Sequence, residues 1–272
     1  MLEVLNKLPI RRFDGVDNFL TFIGIYEDKR RSALLRRLLF NNRKLISGKV
    51  GVEAGAGLGD ITEFLLTLGV KKVFAVEQNS CCVRFLKERF KAKKKVNVIQ
   101  EKIEHFIPQG KKGVDFVFQE LYGPLLFDES LLALERIKFD PGTVLPNGGV
   151  IYAEAARLKD SHDPVVDADI FRQLEGALIT DLFPNYKFRK PFVVCEWKFK
   201  RGRRVYSFSK KIKGNGDILV LGMGIAHNNS KVAGTADCFN WPYVFTPVKG
   251  NEFRLRFSYD RGITETTFDW IR

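Results

Sequence analysis

Apolar positions along the chain follow one period in its first half and another in its second. Val50 and Val52 form a short apolar run that leads through Glu53 into Gly55-Ala56-Gly57-Leu58-Gly59. Ile61, Phe64, Leu65 and Leu68 then recur at helical spacing up to Gly69, and a second run, Val73 to Val76, stops on Glu77. This predicts strand, glycine turn, helix, strand, with Gly69 closing the helix. Upstream, Asp28 is placed to cap a helix with Leu34, Leu35, Leu38 and Leu39 on one side and Arg30, Arg31, Arg36 and Arg37 elsewhere. Downstream, Ser80 to Phe90 reads as a helix, Val96 to Ile99 as a third strand and Val114 to Phe118 as a fourth. Leu145 to Gly149 is a turn before a strand over Val150 to Ala153. The βαβ order predicts a parallel sheet with helices on both faces.

From about residue 155 the period shortens. Ile170 to Phe183 reads as one short helix, after which alternation takes over. Val193, Cys195, Trp197 and Phe199 point one way while Glu196, Lys198 and Lys200 point the other. Arg201-Gly202 turns into Arg204 to Phe208, and Phe253, Leu255, Phe257 and Tyr259 alternate with charged residues up to the turn Asp260-Arg261-Gly262. The fold class expected is α/β plus β, a Rossmann-like parallel sheet followed by a mostly antiparallel, barrel-like part. The domains expected are residues 1–48 (helical), 49–154 (Rossmann-like) and 155–272 (β-barrel-like).

Composition narrows the class. No stretch offers the roughly 18 unbroken apolar residues of a membrane span, and the N-terminus has an early acid and no long apolar core, so neither a membrane partner nor a secretory signal is expected. Cys81, Cys82, Cys195 and Cys238 show no metal-ligand spacing, and the chain reads as intracellular, cytoplasmic or nuclear. The formal net charge is +13, with +7 on residues 155–272 and +6 on residues 1–154. Such an excess points to an anionic partner, and RNA contact is a hypothesis from charge alone.

Two groups of residues carry the candidate chemistry. Glycines after the first strand let a ligand approach the backbone, and the following helix start offers unpaired N–H groups. Glu77 stands 24 positions after Glu53, close to the roughly 20-residue offset of nucleoside binders. A carboxylate there is placed to accept from ribose hydroxyls, whether of a nicotinamide dinucleotide or of S-adenosyl-L-methionine. The second group is Glu120 and Glu129, flanking Gly123-Pro124 past the fourth strand. Paired carboxylates repel one another unless a cation lies between them, and a planar guanidinium matches carboxylates in bidentate geometry.

At this point the sequence resembles the protein arginine methyltransferases. Their double-glutamate loop, S-E-x-M-G-x-x-L-x-x-E-S, corresponds without a gap to Gln119-Glu120-Leu121-Tyr122-Gly123-Pro124-Leu125-Leu126-Phe127-Asp128-Glu129-Ser130. Their D-x-x-R helix matches Asp28-Lys29-Arg30-Arg31, and Leu145 to Tyr152 is similar to their L-K-P-G-G-x-I-Y strand. Asn240-Trp241 falls where the family carries a T-H-W substrate loop. The resemblance implies S-adenosyl-L-methionine as cofactor and arginine of a protein as methyl acceptor. It implies Arg31 on the cofactor carboxylate, Gly55 and Gly57 against its amino-acid portion with Glu53 beside them, Glu77 on the ribose, and Ile103 and Glu104 at the adenine. Glu120 and Glu129 would grip the substrate guanidinium.

Several positions depart from the family. Glu53 stands for an aspartate, Asn240 for the histidine expected to pair with Asp28, and Ile25 and Leu131 for methionines that shape the pocket. The family's first helix is poorly matched around Phe19 to Phe22, and no full dimerisation arm can be placed between residues 155 and 190. Two alternatives stay open: an RNA or other non-arginine methyltransferase, from the charge, and a catalytically weak binding subunit, from Asn240 and the first helix.

Overall fold

Asp28 caps the first helix as expected, its carboxylate accepting the Arg31 N–H at 2.8 Å at the start of α1, Lys29–Asn41. The computed structural model describes residues 23, 25–108, 113–158, 168–180, 186–202 and 205–271. The poorly matched segment around Phe19 to Phe22 lies outside them. The chain divides into two compact units, one of Met1–Gln119 with Ile137–Leu145, the other of Glu120–Arg136 with Pro146–Arg272. This division differs from the expected boundary after residue 154, because the double-glutamate loop and the strand at Tyr152 go with the second unit.

The first unit carries a five-stranded parallel sheet in the order β3-β2-β1-β4-β5. Its strands are β1, Val50–Ala54; β2, Lys72–Glu77; β3, Val96–Gln100; β4, Val114–Gln119; and β5, Pro141–Leu145. Helices α2, Asp60–Thr67, and α3, Ser80–Arg89, form the first two crossovers. Leu35 and Leu39 of α1 and Ile61 and Leu65 of α2 pack with Val73, Phe116 and Phe118. Leu86 and Phe90 join Ala75, which points the same way as Val73. The opposite face, at Phe74, is met by Phe106, which in turn meets the Phe139 ring. Helices were expected on both faces. Among the described residues the β3–β4 crossover is a loop, and its phenylalanine does the covering.

The second unit is antiparallel. A six-stranded sheet runs β7-β12-β10-β6-β8 with β11 also on β10, and a three-stranded sheet runs β14-β13-β9. In chain order these follow α4, Leu131–Leu134, and are β6, Gly148–Ala156; β7, Ile179–Thr180; β8, Phe192–Lys198; β9, Val205–Lys211; β10, Ile218–His227; β11, Ser230–Gly234; β12, Val244–Pro247; β13, Glu252–Asp260; and β14, Ile263–Ile271. The strand at Val150 to Ala153 therefore does not extend the parallel sheet; β6 pairs antiparallel with β10 and β8. The helix expected over Ile170 to Phe183 ends early, as α5, Ala168–Arg172, and Ile179 is already in a strand. Residues 159–167 and 181–185, within the segment searched for a dimerisation arm, lie outside the described residues. Alternation in β8 also breaks: Val193 is exposed and Val194 buried, because the pairing register skips Val194 between Ile151 and Tyr152. In β13 it holds throughout, with Phe253, Leu255, Phe257 and Tyr259 all buried.

Candidate active site

The candidate cofactor residues gather at the carboxyl ends of β1, β2 and β3, where open α/β sheets bind ligands. Gly55 and Ala56 both donate to the Val76 carbonyl at 3.0 Å, which ties the glycine loop to β2. Gly57 has a φ of +52°, and a Cβ on it would lie 2.5 Å from the Tyr26 hydroxyl. That hydroxyl accepts from the Leu58 N–H at 2.9 Å and donates to the Ala56 carbonyl at 3.3 Å. Burial pushes the Tyr26 phenol upward, so it stays neutral at physiological pH. Tyr26 thus holds the loop from outside the strand–turn–strand unit; it was missed in the sequence because no motif marks it.

Glu77 is buried at the end of β2. Its Oε2 accepts the Gly57 N–H at 2.8 Å and its Oε1 the Asn79 N–H at 2.7 Å. A carboxylate has about four lone-pair sites, so capacity to accept from a ligand hydroxyl remains. Asn79 caps α3 by accepting from the Cys81 and Cys82 N–H groups. Arg31 is half-buried on α1, while Ile103 and Glu104 are buried in the turn after β3.

Glu53 is buried in β1 and accepts a hydrogen bond from the Thr62 hydroxyl of α2. Burial pushes its carboxyl up to about 8 against the lowering effect of Thr62, and Asp60 and Glu77 add negative charge nearby. The native chain therefore holds this proton more tightly than the unfolded chain, whose ordinary value is 4.5. That stabilisation is full below the ordinary value and is lost as pH rises toward the folded value. Thermal unfolding of the wild type should show this loss from about pH 5 to pH 8, and Glu53→Gln should not. Parallel pH profiles for the two proteins would mean Glu53 is ionised in the fold.

Glu120 follows β4 directly and opens the loop to Glu129, which belongs to the second unit. This loop is held at several points within that unit. The Tyr122 carbonyl accepts from the buried Trp241 indole N–H at 3.3 Å. Asp128 lies so close to Gly123 that a Cβ there would meet its Oδ1 at 2.2 Å, and this oxygen accepts the Leu125 N–H at 3.0 Å. Burial pushes the Asp128 carboxyl up to about 6. Leu126 is buried with a φ of +67°, a conformation uncommon for a residue with a side chain. Phe127 stacks on Tyr206 with ring centroids 4.3 Å apart and packs on Phe257 at 5.1 Å. The Glu129 carbonyl accepts from the Thr264 hydroxyl, while the residue itself is exposed. Asn240 is half-buried beside Trp241. The loop is preorganised by its apolar and backbone anchors, leaving its two glutamates as the charged positions at either end.

A third glutamate, missed in the sequence, follows α4. Glu135 is fully buried, and its Oε1 accepts from the Trp197 indole at 2.9 Å, the Tyr206 hydroxyl at 2.7 Å and the Lys200 N–H at 3.3 Å. Tyr206 is also the residue on which Phe127 stacks, so Glu135 and the loop share a support. Among the described residues no group of three or more His, Cys, Asp or Glu side chains is placed to hold a metal ion.

The fold and the glycine unit define a Rossmann-like α/β unit and a second unit of antiparallel β-sheets. No family model matches the chain. Its sequence is 31% identical over 150 residues to protein arginine N-methyltransferase 1 of Caenorhabditis elegans, covering 54% of this chain and 42% of that one. With protein arginine N-methyltransferase 1 of Dictyostelium discoideum it is 28% identical over 169 residues, 58% of this chain and 49% of that one. The chain thus spans less than half the length of these curated relatives. In fold it is similar to PRMT6, with a TM-score of 0.71 at 15% identity over 93% of this chain and 99% of that one. It is also similar to Arabidopsis thaliana protein arginine methyltransferase 10, with a TM-score of 0.64 at 14% identity over 92% and 99%. In sequence and in fold, the chain is thus similar to protein arginine methyltransferases.

Proposed function

We propose that the chain is an S-adenosyl-L-methionine-dependent protein arginine N-methyltransferase. The observation that carries the reading is the loop from Glu120 to Glu129: two carboxylates on a backbone anchored by Trp241, Asp128 and Phe127. The curated relatives carry that activity in their names, and one structural neighbour is PRMT6 with SAH. The residues fit the cofactor. The Gly57 position leaves no room for a side chain, and the buried Glu77 carboxylate retains acceptor capacity where ribose hydroxyls would lie.

When bound, the cofactor supplies an electrophilic methyl on a sulfonium. In this reading Glu77 accepts from the ribose hydroxyls, Arg31 pairs with the cofactor carboxylate, and Ile103 and Glu104 flank the adenine. Glu53 supports the glycine turn through Thr62. Glu120 and Glu129 hold the substrate guanidinium, offset its positive charge, and localise its electron density on the attacking nitrogen. Charge fixed in place before the reaction costs no reorganisation during it, and orientation in favourable systems contributes about 7–11 kcal/mol. The proton released passes to a carboxylate of this pair.

Labelled S-adenosyl-L-methionine, offered with arginine-rich peptides and separately with RNA, should place its label on arginine. Calorimetry should detect S-adenosylhomocysteine, with Glu77→Ala weakening it by about 1–3 kcal/mol, the scale of lost charged hydrogen bonds. Label on RNA bases but not arginine, or binding of NAD in place of S-adenosylhomocysteine, would refute this assignment.

A further inference from the structure

We propose that the outer edge of the parallel sheet carries a binding face for single-stranded RNA, built on α3, the turn after it and the end of β3. Residues 80–102 hold eight basic and two acidic side chains, a net of +6. The first unit as a whole carries a net of +10, so this stretch holds more than half of its excess. β3 is an edge strand of the sheet. Arg84, Lys87, Lys91, Lys93, Lys94 and Lys95 are all exposed.

The face bears a shallow, open depression. A cavity of about 590 Å³ is lined by Ser80, Val83, Arg84, Lys87, Glu88 and Gln100. Its one carboxylate, Glu88, is ion-paired with Lys91. Arg84 and Lys87 have no carboxylate partner among the described residues, so they present uncompensated charge to a ligand. Phosphates are recognised by charge of this kind, and the lysine run in the following turn continues it beyond the cavity. An arginine-bearing peptide would be repelled here, so this is not a docking face for a cationic substrate.

An exposed aromatic separates RNA from an acidic protein. Phe85, one position after Arg84 on α3 and outside the residues that line the cavity, is 42% exposed. Single-strand binders combine a basic groove with aromatic rings on which bases stack, and an acidic peptide has no base to place on such a ring. Gln100 adds an amide that can donate and accept at the rim of the cavity. The binding needs no methyl transfer and stands apart from the catalytic reading.

Fluorescence anisotropy with a labelled oligouridylate of about 16 nucleotides, titrated at several potassium chloride concentrations, tests the face. The wild type should bind at low salt. Arg84→Glu with Lys87→Glu, and Lys93→Glu with Lys94→Glu and Lys95→Glu, should each weaken binding by about tenfold or more and flatten the salt slope by about 0.7 for every phosphate no longer neutralised. Phe85→Ala should weaken RNA binding about fivefold and leave any binding of polyglutamate unchanged. Lys210→Glu with Lys211→Glu, exposed in β9, should have little effect. The proposal is overturned by absence of RNA binding at low salt, or by loss only in the Lys210 and Lys211 variant. Equal, Phe85-independent binding of RNA and polyglutamate would also overturn it and assign the face to an acidic protein segment.

Discussion

On the proposed function, Glu120→Gln and Glu129→Gln will each lower methyl transfer to arginine by roughly 10²–10³-fold, the scale at which removing one preorganised charge-stabilising group acts. The substitutions keep size and shape, so the loop's anchors through Trp241, Asp128 and Phe127 survive them. What each removes is one negative charge facing a cation. A guanidinium flanked by one carboxylate is less well oriented, and its electron density is no longer drawn to one nitrogen. Cofactor affinity should be nearly unchanged, because Glu77, Arg31 and the glycine loop belong to the other unit. The double variant should be little worse than either single one, since residues acting as a unit are strongly non-additive. Single-turnover rates with an arginine-rich peptide, alongside calorimetry with S-adenosylhomocysteine, read both quantities. Transfer within about fivefold of wild type in both single variants would make the loop a structural feature and leave the guanidinium without its partners.

Elements whose period and punctuation agree were legible in the sequence. Asp28 before a leucine stripe gave α1, Gly69 marked the end of α2, and four alternating aromatic and aliphatic positions gave β13. β5 was not legible. Pro141 and Gly142 are poor strand residues, and only Thr143, Val144 and Leu145 follow them. As the first residue of an edge strand, proline loses no ladder hydrogen bond, so the strand forms despite its composition. β6 was legible as a strand but not as a member of its sheet. Alternation reports which face is buried and is silent on the pairing partner. Its true partner, β10, begins 62 residues after Ala156 at Ile218. The slip at Val193 and Val194 has a similar origin, because two valines in a row do not say which one the ladder skips.

In the candidate site, the residues that define a motif were visible and those that hold the motif in place were not. Gly57 and Glu77 lie in one strand–turn–helix–strand unit, and their hydrogen bond follows from that local geometry. Tyr26 reaches the same loop from 31 residues before Gly57, an approach only the fold can make. Asp128 sits between the two glutamates, and its carboxylate anchors the loop by accepting the Leu125 N–H. The net +6 of residues 80–102 could have been found by counting, but the exposure of Arg84 and Lys87 beside one cavity could not.

Glu135→Ala will destabilise the protein by about 3–5 kcal/mol, the cost of leaving buried hydrogen-bonding groups unpaired. Glu135 follows the apolar stretch Leu131-Leu132-Ala133-Leu134 and is itself fully buried. Its carboxylate oxygen collects the Trp197 indole and the Tyr206 hydroxyl, both buried. Alanine strands both donors and opens a cavity beside the Phe127 ring stacked on Tyr206. Glu135→Gln keeps an acceptor oxygen in the same place and should cost much less, about 1 kcal/mol. Trp197→Phe removes one of the stranded donors, so combined with Glu135→Ala it should cost less than the sum of the two single changes. Urea unfolding of these variants beside the wild type, with the slope compared as well as the midpoint, measures each cost. If Glu135→Ala lies within about 1 kcal/mol of wild type, Trp197 and Tyr206 find other acceptors and Glu135 is not what supports the double-glutamate loop.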